Sequence, residues 1–317
     1  MGNLFWVSKL PVLMLLGCSA IGGGWLALTS VTWLGVWVGL ELNLLSFLPL
    51  MVLVEGSGPE GGLKYFLTQA CASLVLLCSI MFGGQAGVVL SVLALIMKAG
   101  GAPLHFWFPM VVESLSWGTL FMLMTVQKLI PLALLSYLYS PALFTLFWAS
   151  VFGCAVVGAL GGINETHSRK LLSFSSINHL GWMLMAMVSG GLGWVTYFTL
   201  YFGVLLSVIG VLSVGGIFHL GQSKGLGWDL GVSLLSLGGL PPLLGFVPKW
   251  LVIQSAVGSY AILVLIASSV VTLFYYIRLF SGSAGGLQKG WATWLALVLN
   301  GGGSGAVAVV WAISPLR

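Results

Sequence analysis

Apolar stretches of about twenty residues, each long enough to cross a ~30 Å hydrocarbon core as a helix, follow one another along almost the whole chain. They run at 4–26, 31–54, 62–82, 87–112, 117–139, 142–161, 170–189, 194–218, 229–257, 259–281 and 291–312. Inside a bilayer a segment must satisfy its own backbone N–H and C=O groups, and a helix does so without a neighbour. The pattern predicts an all-α polytopic membrane protein with about eleven transmembrane helices. Composition agrees: 59% of the residues are hydrophobic, 5% are charged, and the mean hydropathy is +1.11. A water-soluble domain of this length could not keep so apolar a surface in solution. The connections are short and glycine-rich, without linker or soluble domain, so residues 1–317 read as one transmembrane domain.

The net charge of +5 comes from 11 Lys+Arg against 6 Asp+Glu, too few and too scattered for nucleic-acid binding. Cys18, Cys71, Cys78 and Cys154 all fall inside spans with no CxxC or Cys/His spacing, which points to packing rather than to metal or disulfide. No cleavable signal or amphipathic, Arg-rich presequence is visible, and the first apolar segment is long enough to direct its own insertion. If the spans alternate, one membrane face collects Lys9, Lys64, Arg169, Lys170, Lys224, Arg278 and Lys289, together with Glu55, Glu60, Glu113, Glu165 and Asp229. The other face holds Arg317 alone. That asymmetry predicts an N-terminus facing the cytoplasm or matrix.

Two spans are interrupted. In GVVLSVLALIMKAGGAPLHFWFP (87–109) a helical run ends on Lys98 and meets Gly100, Gly101 and Pro103. Proline lacks an N–H and clashes with the preceding turn, and glycine weakens a helix further. The helix is expected to break, place the Lys98 ammonium where free carbonyls face a cation, and resume over Leu104–Val112 with His105 aboard. In GGLPPLLGFVPKW, Pro241, Pro242 and Pro248 interrupt span 229–257 beside Lys249. Broken helices at membrane depth persist only where protein or a wet cavity encloses them.

Glu41 and Lys128 lie near the middle of spans 31–54 and 117–139 and cannot be moved into loops. A charge at that depth costs at least ~2.5–3.5 kcal/mol, and an ionisable residue there is a functional candidate by default. His179, central in span 170–189, titrates near neutrality and suits a proton relay. Some of these residues have blander readings: Arg278 suits an interfacial anchor, and a lone membrane histidine such as His105 or His179 can simply be packed. A mid-membrane glutamate accompanied by three lysines is better read as a proton or ion pathway than as structural ion pairs.

The broken spans are the fourth and the ninth, each followed by a span read as unbroken. This fits two five-helix repeats, about 1–140 and 141–281, with a further C-terminal helix at about 291–312. Because five is odd, successive repeats would be inverted, the arrangement of many secondary transporters. The ionisable set is Glu41, Lys98 and Lys128 in the first repeat, His179 and Lys249 in the second.

These residues carry a resemblance. WVGLELNLLSFLPL (37–50), MKAGGAPLHFWFP (97–109), QKLIPL (127–132), INETHSRKLLSFSSINHLGWM (163–183) and LGGLPPLLGFVPKW (237–250) resemble the antiporter-like chain 2 family of mitochondrial NADH:ubiquinone oxidoreductase, respiratory complex I. The likeness runs in order over nearly the whole chain. It implies eleven helices in animal members, which lack three N-terminal ones, and a mitochondrial inner-membrane location with the N-terminus in the matrix and the C-terminus in the intermembrane space. It also implies that Glu41 and Lys128 form the uptake-side pair, that Lys98 is the central lysine beside them, and that Lys249 belongs to a second half-channel. The Ala99-Gly100-Gly101 stretch is more glycine-rich than the family's usual pattern, which predicts a looser break. The chain has no CxxC cluster, no GxGxxG and no haem-type histidine pair, so electrons and NADH are expected elsewhere. FMN, iron–sulfur clusters and ubiquinone then belong to other subunits, with no cofactor or metal in this chain. Expected partners are the lipid bilayer and further membrane-arm subunits, including other antiporter-like ones, met through glycine-rich faces at 22–24 and 153–162. A stand-alone cation/proton antiporter and a purely structural scaffold are the alternatives.

Overall fold

The structure, a computed structural model, describes residues 2–55, 60–190, 193–216, 227–281, 298 and 300. Among them every regular element is helical, and eight helices are long and apolar enough to cross a membrane. The chain divides into two compact units, Met1–Leu143 and Phe144–Arg317.

The first unit contains α1 (Gly2–Thr29), α2 (Trp33–Glu55), α3 (Glu60–Phe82), α4 (Gly84–Ala99), α5 (Trp107–Ser114), α6 (Trp117–Met124) and α7 (Val126–Leu138). α1 and α2 form a tight pair through glycine: a Cβ on Gly39 would lie 2.5 Å from the Ala27 nitrogen, and one on Gly23 2.7 Å from the Asn43 nitrogen. The second unit contains α8 (Phe144–Gly161), α9 (Ser168–Val188), α10 (Gly193–Gly215), α11 (Gly227–Gly238), α12 (Phe246–Ser255) and α13 (Tyr260–Ser281). Its first pair is built alike, since a Cβ on Gly158 of α8 would meet the Asn178 nitrogen of α9 at 2.7 Å. α9 is buried along nearly its whole length and forms the core of this unit.

Both expected breaks are present, and their fourth place in each unit's order of spans is the same. The first separates α4 from α5, and the second separates α11 from α12. Several expectations change. The helix resumes at Trp107 rather than Leu104, which leaves His105 in the irregular connection, because Pro103 cannot donate to a helical ladder. The Lys128 span is not continuous: Thr125, at φ −116° and ψ −82°, separates α6 from α7. Pro131, one turn on, offers no N–H to carbonyl 127 and relaxes the same stretch. Within the chain, Gly23 packs against α2, Gly158 and Gly161 against α9, and Gly162 against Tyr275, while Gly22 faces outward with nothing within 4 Å. Of the four cysteines only Cys154 is in a core, while Cys18, Cys71 and Cys78 lie on outward helix faces, and all four are free thiols. Asp229, the first residue of the expected span 229–257, is in the first turn of α11 and 5% exposed.

Span 291–312 lies outside the described residues except at 298 and 300, where Asn300 donates to the Ser207 hydroxyl of α10. Lys224, Lys289 and Arg317 also lie outside them.

Candidate functional site

In the first unit Lys98 occupies the last turn of α4 and is 7% exposed. Its surroundings differ from the sequence expectation. The end of α4 satisfies its own carbonyls: Gly100, at φ +72°, lets its N–H reach the Met97 carbonyl and the Gly101 N–H reach that of Ile96. This is a Schellman closure, which needs a left-handed residue that glycine adopts without strain. The Trp107 indole also donates to the Met97 carbonyl at 3.0 Å. The Lys98 ammonium is thus not needed at its own helix end. It turns to α3 and donates to the Gln69 carbonyl at 3.4 Å, while the Gln69 side-chain amide donates to the Lys98 carbonyl at 3.3 Å.

Lys128, 4% exposed in the first turn of α7, places its ammonium 4.2 Å from the centroid of the Phe108 ring. Beside it Gln127 and Asn43 of α2 exchange two amide hydrogen bonds, at 2.8 and 2.9 Å. Lys98 and Lys128 line one cavity together with Asn43, Tyr65, Gln69, Trp107, Phe108 and Gln127. Its free space is about 20 Å³, room for roughly one water. Glu41 sits half-buried on α2, and its carboxylate is close enough to act electrostatically on Lys98. The structure therefore brings Lys98 and Lys128 to one polar pocket, with Glu41 outside its lining but near enough to act on Lys98. His105 does not join them, since its Nδ1 contacts the Pro103 carbonyl at 3.2 Å and its ring stacks on Phe106. Gln69, Asn43 and Gln127 went unnoticed in the sequence, because neutral amides are common and nothing local marks their partners.

In the second unit Lys249 opens α12 and is 6% exposed. Here the expected arrangement does occur: the ammonium donates to the Gly238 carbonyl at the end of α11, at 2.7 Å. A cation at a helix C-terminus is favoured by both the free carbonyl and the helix dipole. α11 ends in the same closure as α4, with Gly239 at φ +82° donating to Ser236 and Leu240 donating to Leu235. The Lys249 stem runs so close that a Cβ on Gly239 would lie 2.9 Å from its Cδ. The Trp182 ring of α9 faces the ammonium at 5.9 Å. His179, 7% exposed, joins the Tyr197 hydroxyl through Nδ1 at 2.9 Å. It lines a smaller cavity of about 10 Å³ with Tyr197, Tyr201, Leu237, Gly245 and Pro248. Among the described residues no three His, Cys, Asp or Glu side chains gather as a metal site.

Two buried lysines on an enclosed polar pocket, and a third on a helix end, can exchange protons with water but hold no redox group. Comparison with known proteins bears on that chemistry. The family described as NADH:quinone oxidoreductase/Mrp antiporter, transmembrane, matches residues 83–274. A protein of Anopheles gambiae named NADH-ubiquinone oxidoreductase chain 2 is 42% identical over 282 residues, which is 82% of each chain. A chain of respiratory complex I from Thermus thermophilus superposes with a TM-score of 0.77 at 26% identity, over 95% of this chain and 77% of that one. A chain of the Mrp complex from Dietzia sp. shares the fold, with a TM-score of 0.78 at 20% identity over 86% of this chain and 61% of the other.

Proposed function

This chain belongs to the NADH:quinone oxidoreductase/Mrp antiporter membrane family, among the NADH-ubiquinone oxidoreductase chain 2 proteins, and on that premise we propose that its buried lysines carry protons. It serves as a core membrane-arm subunit of the proton-pumping NADH:ubiquinone oxidoreductase. Quinone reduction elsewhere in the complex drives the movement. Its own part in that oxidoreductase is non-redox, with FMN, iron–sulfur clusters and ubiquinone held by other subunits. It sits in the mitochondrial inner membrane, N-terminus in the matrix and C-terminus in the intermembrane space, beside further antiporter-like subunits.

The observation that carries this reading is the pairing of Lys98 and Lys128 on one enclosed pocket under the influence of the Glu41 carboxylate. Two amines sharing a pocket lined by neutral amides suit groups whose charge alternates. When Lys98 holds its proton, the Gln69 carbonyl accepts from it, and as a neutral amine it can accept from water in the cavity. A charge arriving at or leaving a neighbouring station changes the proton affinity of a buried amine, so redox work at a distance is felt here as proton transfer. Lys249 and His179 act as further stations in the second unit.

The test is a pair of variants in the assembled complex. Lys98→Met removes the titrating group, and Lys98→Arg keeps a charge that does not come off. Both should assemble on native gels, and both should lose most ΔpH formation in reconstituted vesicles, with quinone reduction falling in step. Full pumping by the arginine variant would end the claim. A stand-alone cation/proton antiporter remains the second reading, supported by the fold shared with the Mrp chain. Transport by the purified chain alone would favour it.

A further inference from the structure

We propose that Asp229 is a proton-relaying acid that loads Lys249 along the inner face of α11, an inference that rests on Lys249 acting as a proton station. The starting point is a buried carboxylate oxygen that makes no hydrogen bond. Asp229 is 5% exposed in the first turn of α11, and its Oδ2 has no hydrogen-bond partner. A carboxylate oxygen buried without a hydrogen bond is costly, so packing alone does not account for it.

The rest of the helix supplies a direction. Ser233 and Ser236 follow at intervals of four and three residues, which puts all three side chains on one helical face, and both serines are 0% exposed. Ser233 donates to the Asp229 carbonyl at 2.8 Å. Ser236 accepts from the Gly245 N–H at 3.3 Å. Two residues further on, the Gly238 carbonyl holds the Lys249 ammonium at 2.7 Å. The polar seam of α11 thus has a carboxylate at its start and an amine at its end.

The groups facing α11 from its neighbours make hydrogen bonds elsewhere, although the Arg278 Nε makes none. On α13, Arg278 donates to the carbonyls of Ile163, Gly162 and Glu165, Tyr275 to the Gly158 carbonyl, and Tyr276 bonds Ser175. On α10, Tyr197 meets His179 and Tyr201 donates to Ser176. None of these contacts neutralises Asp229.

In the step itself, Asp229 Oδ2 takes a proton from a hydronium at the membrane face where α11 begins, leaving water. That proton passes by way of the Ser233 and Ser236 hydroxyls to the neutral amine of Lys249, leaving a carboxylate and an ammonium. At 1.5 Å per residue, Asp229, Ser233 and Ser236 are about 6 Å and then about 4.5 Å apart along the axis, so each transfer needs a water admitted transiently between them.

The test uses the assembled complex carrying Asp229→Asn, Asp229→Glu, Ser236→Ala or Lys249→Met, each followed by native-gel assembly, quinone reduction and proton transport over a range of pH. Asp229→Asn should lower transport several-fold. The deficit should widen as pH rises on the side where α11 begins, since water then offers fewer protons. Asp229→Glu should recover most of the rate. A merely structural aspartate would give lost assembly with no pH-dependent deficit. If Asp229→Asn transports at the normal rate at every pH while Lys249→Met fails, the relay is wrong and the wider reading stands. Normal transport by Lys249→Met would overturn both. Should Asp229→Asn fail to assemble, Ser236→Ala decides: a several-fold deficit supports the relay, and normal transport refutes it.

Discussion

The two broken helices end identically and use their lysines differently. α4 and α11 both close on a left-handed glycine, Gly100 and Gly239, with the same pair of backbone bonds running back three and five residues. At α11 the lysine comes from the far side of the break and caps the helix through Gly238. At α4 the lysine lies inside the helix, leaves the cap to the backbone and Trp107, and crosses to a neighbouring helix at 3.4 Å. One lysine is therefore part of the fold's hydrogen bonding, and the other is held by long contacts it can give up. A shared backbone motif says where a helix stops. The placement of one side chain decides whether the stop doubles as an anchor or frees a mobile charge.

The glycines offer the strongest way to break this comparison. Gly239→Ala should cost about 1–2 kcal/mol in backbone strain alone, and its methyl would also push directly on the Lys249 stem. Gly100→Ala carries the same backbone strain, but its Cβ meets the Phe108 ring at 3.1 Å, the ring over which Lys128 sits. Both variants should therefore lower the thermal stability of the purified complex, with Gly239→Ala the worse. Equal losses would mean that the lysine stem yields freely.

Removing the lysines sharpens the contrast. Lys98→Met and Lys249→Met each delete a buried ammonium, so the desolvation gained is similar. Only the second orphans a helix-terminal carbonyl, a penalty of about 1–3 kcal/mol. Thermal melting should find the Lys249 variant less stable by an amount in that range, with faster amide exchange at Gly239 and Leu240. A less stable Lys98 variant would reverse the assignment of anchor and mobile charge.

The last test concerns the coupling within the amide pair beside Lys128, which is smaller than the effect of either single substitution. Asn43→Leu and Gln127→Leu should each destabilise by about 1–3 kcal/mol because one buried amide is left unsatisfied, and the double substitution should cost less than the sum. A double-mutant cycle on thermal stability reads the coupling directly. Strict additivity would show that the two amides do not depend on each other.

Membrane burial made much of this legible in the sequence. Spans announce themselves because lipid tolerates little but apolar side chains, and the breaks do so because Pro103, Pro241 and Pro242 follow glycines. Glu41, Lys98, Lys128 and Lys249 stood out for the same reason: a charge in such company has to be accounted for. What stayed hidden depends on distant partners. Gln69 meets Lys98 across 29 positions and Asn43 meets Gln127 across 84, separations over which local pattern is silent. The interruption at Thr125 left no mark either, since threonine is an ordinary helix residue. The expectation that Lys98 would face free carbonyls failed because Gly100 and Gly101 let the backbone close on itself.

The reciprocal amide pair also has a mechanical meaning. Asn43 lies two residues from Glu41, and Gln127 adjoins Lys128, so two uncharged bonds tie together the helices that carry opposite charges. Neither amide titrates, and the tie holds whichever charge is present. The tie therefore fixes the spacing of α2 and α7 beside the pocket without adding a charge to it.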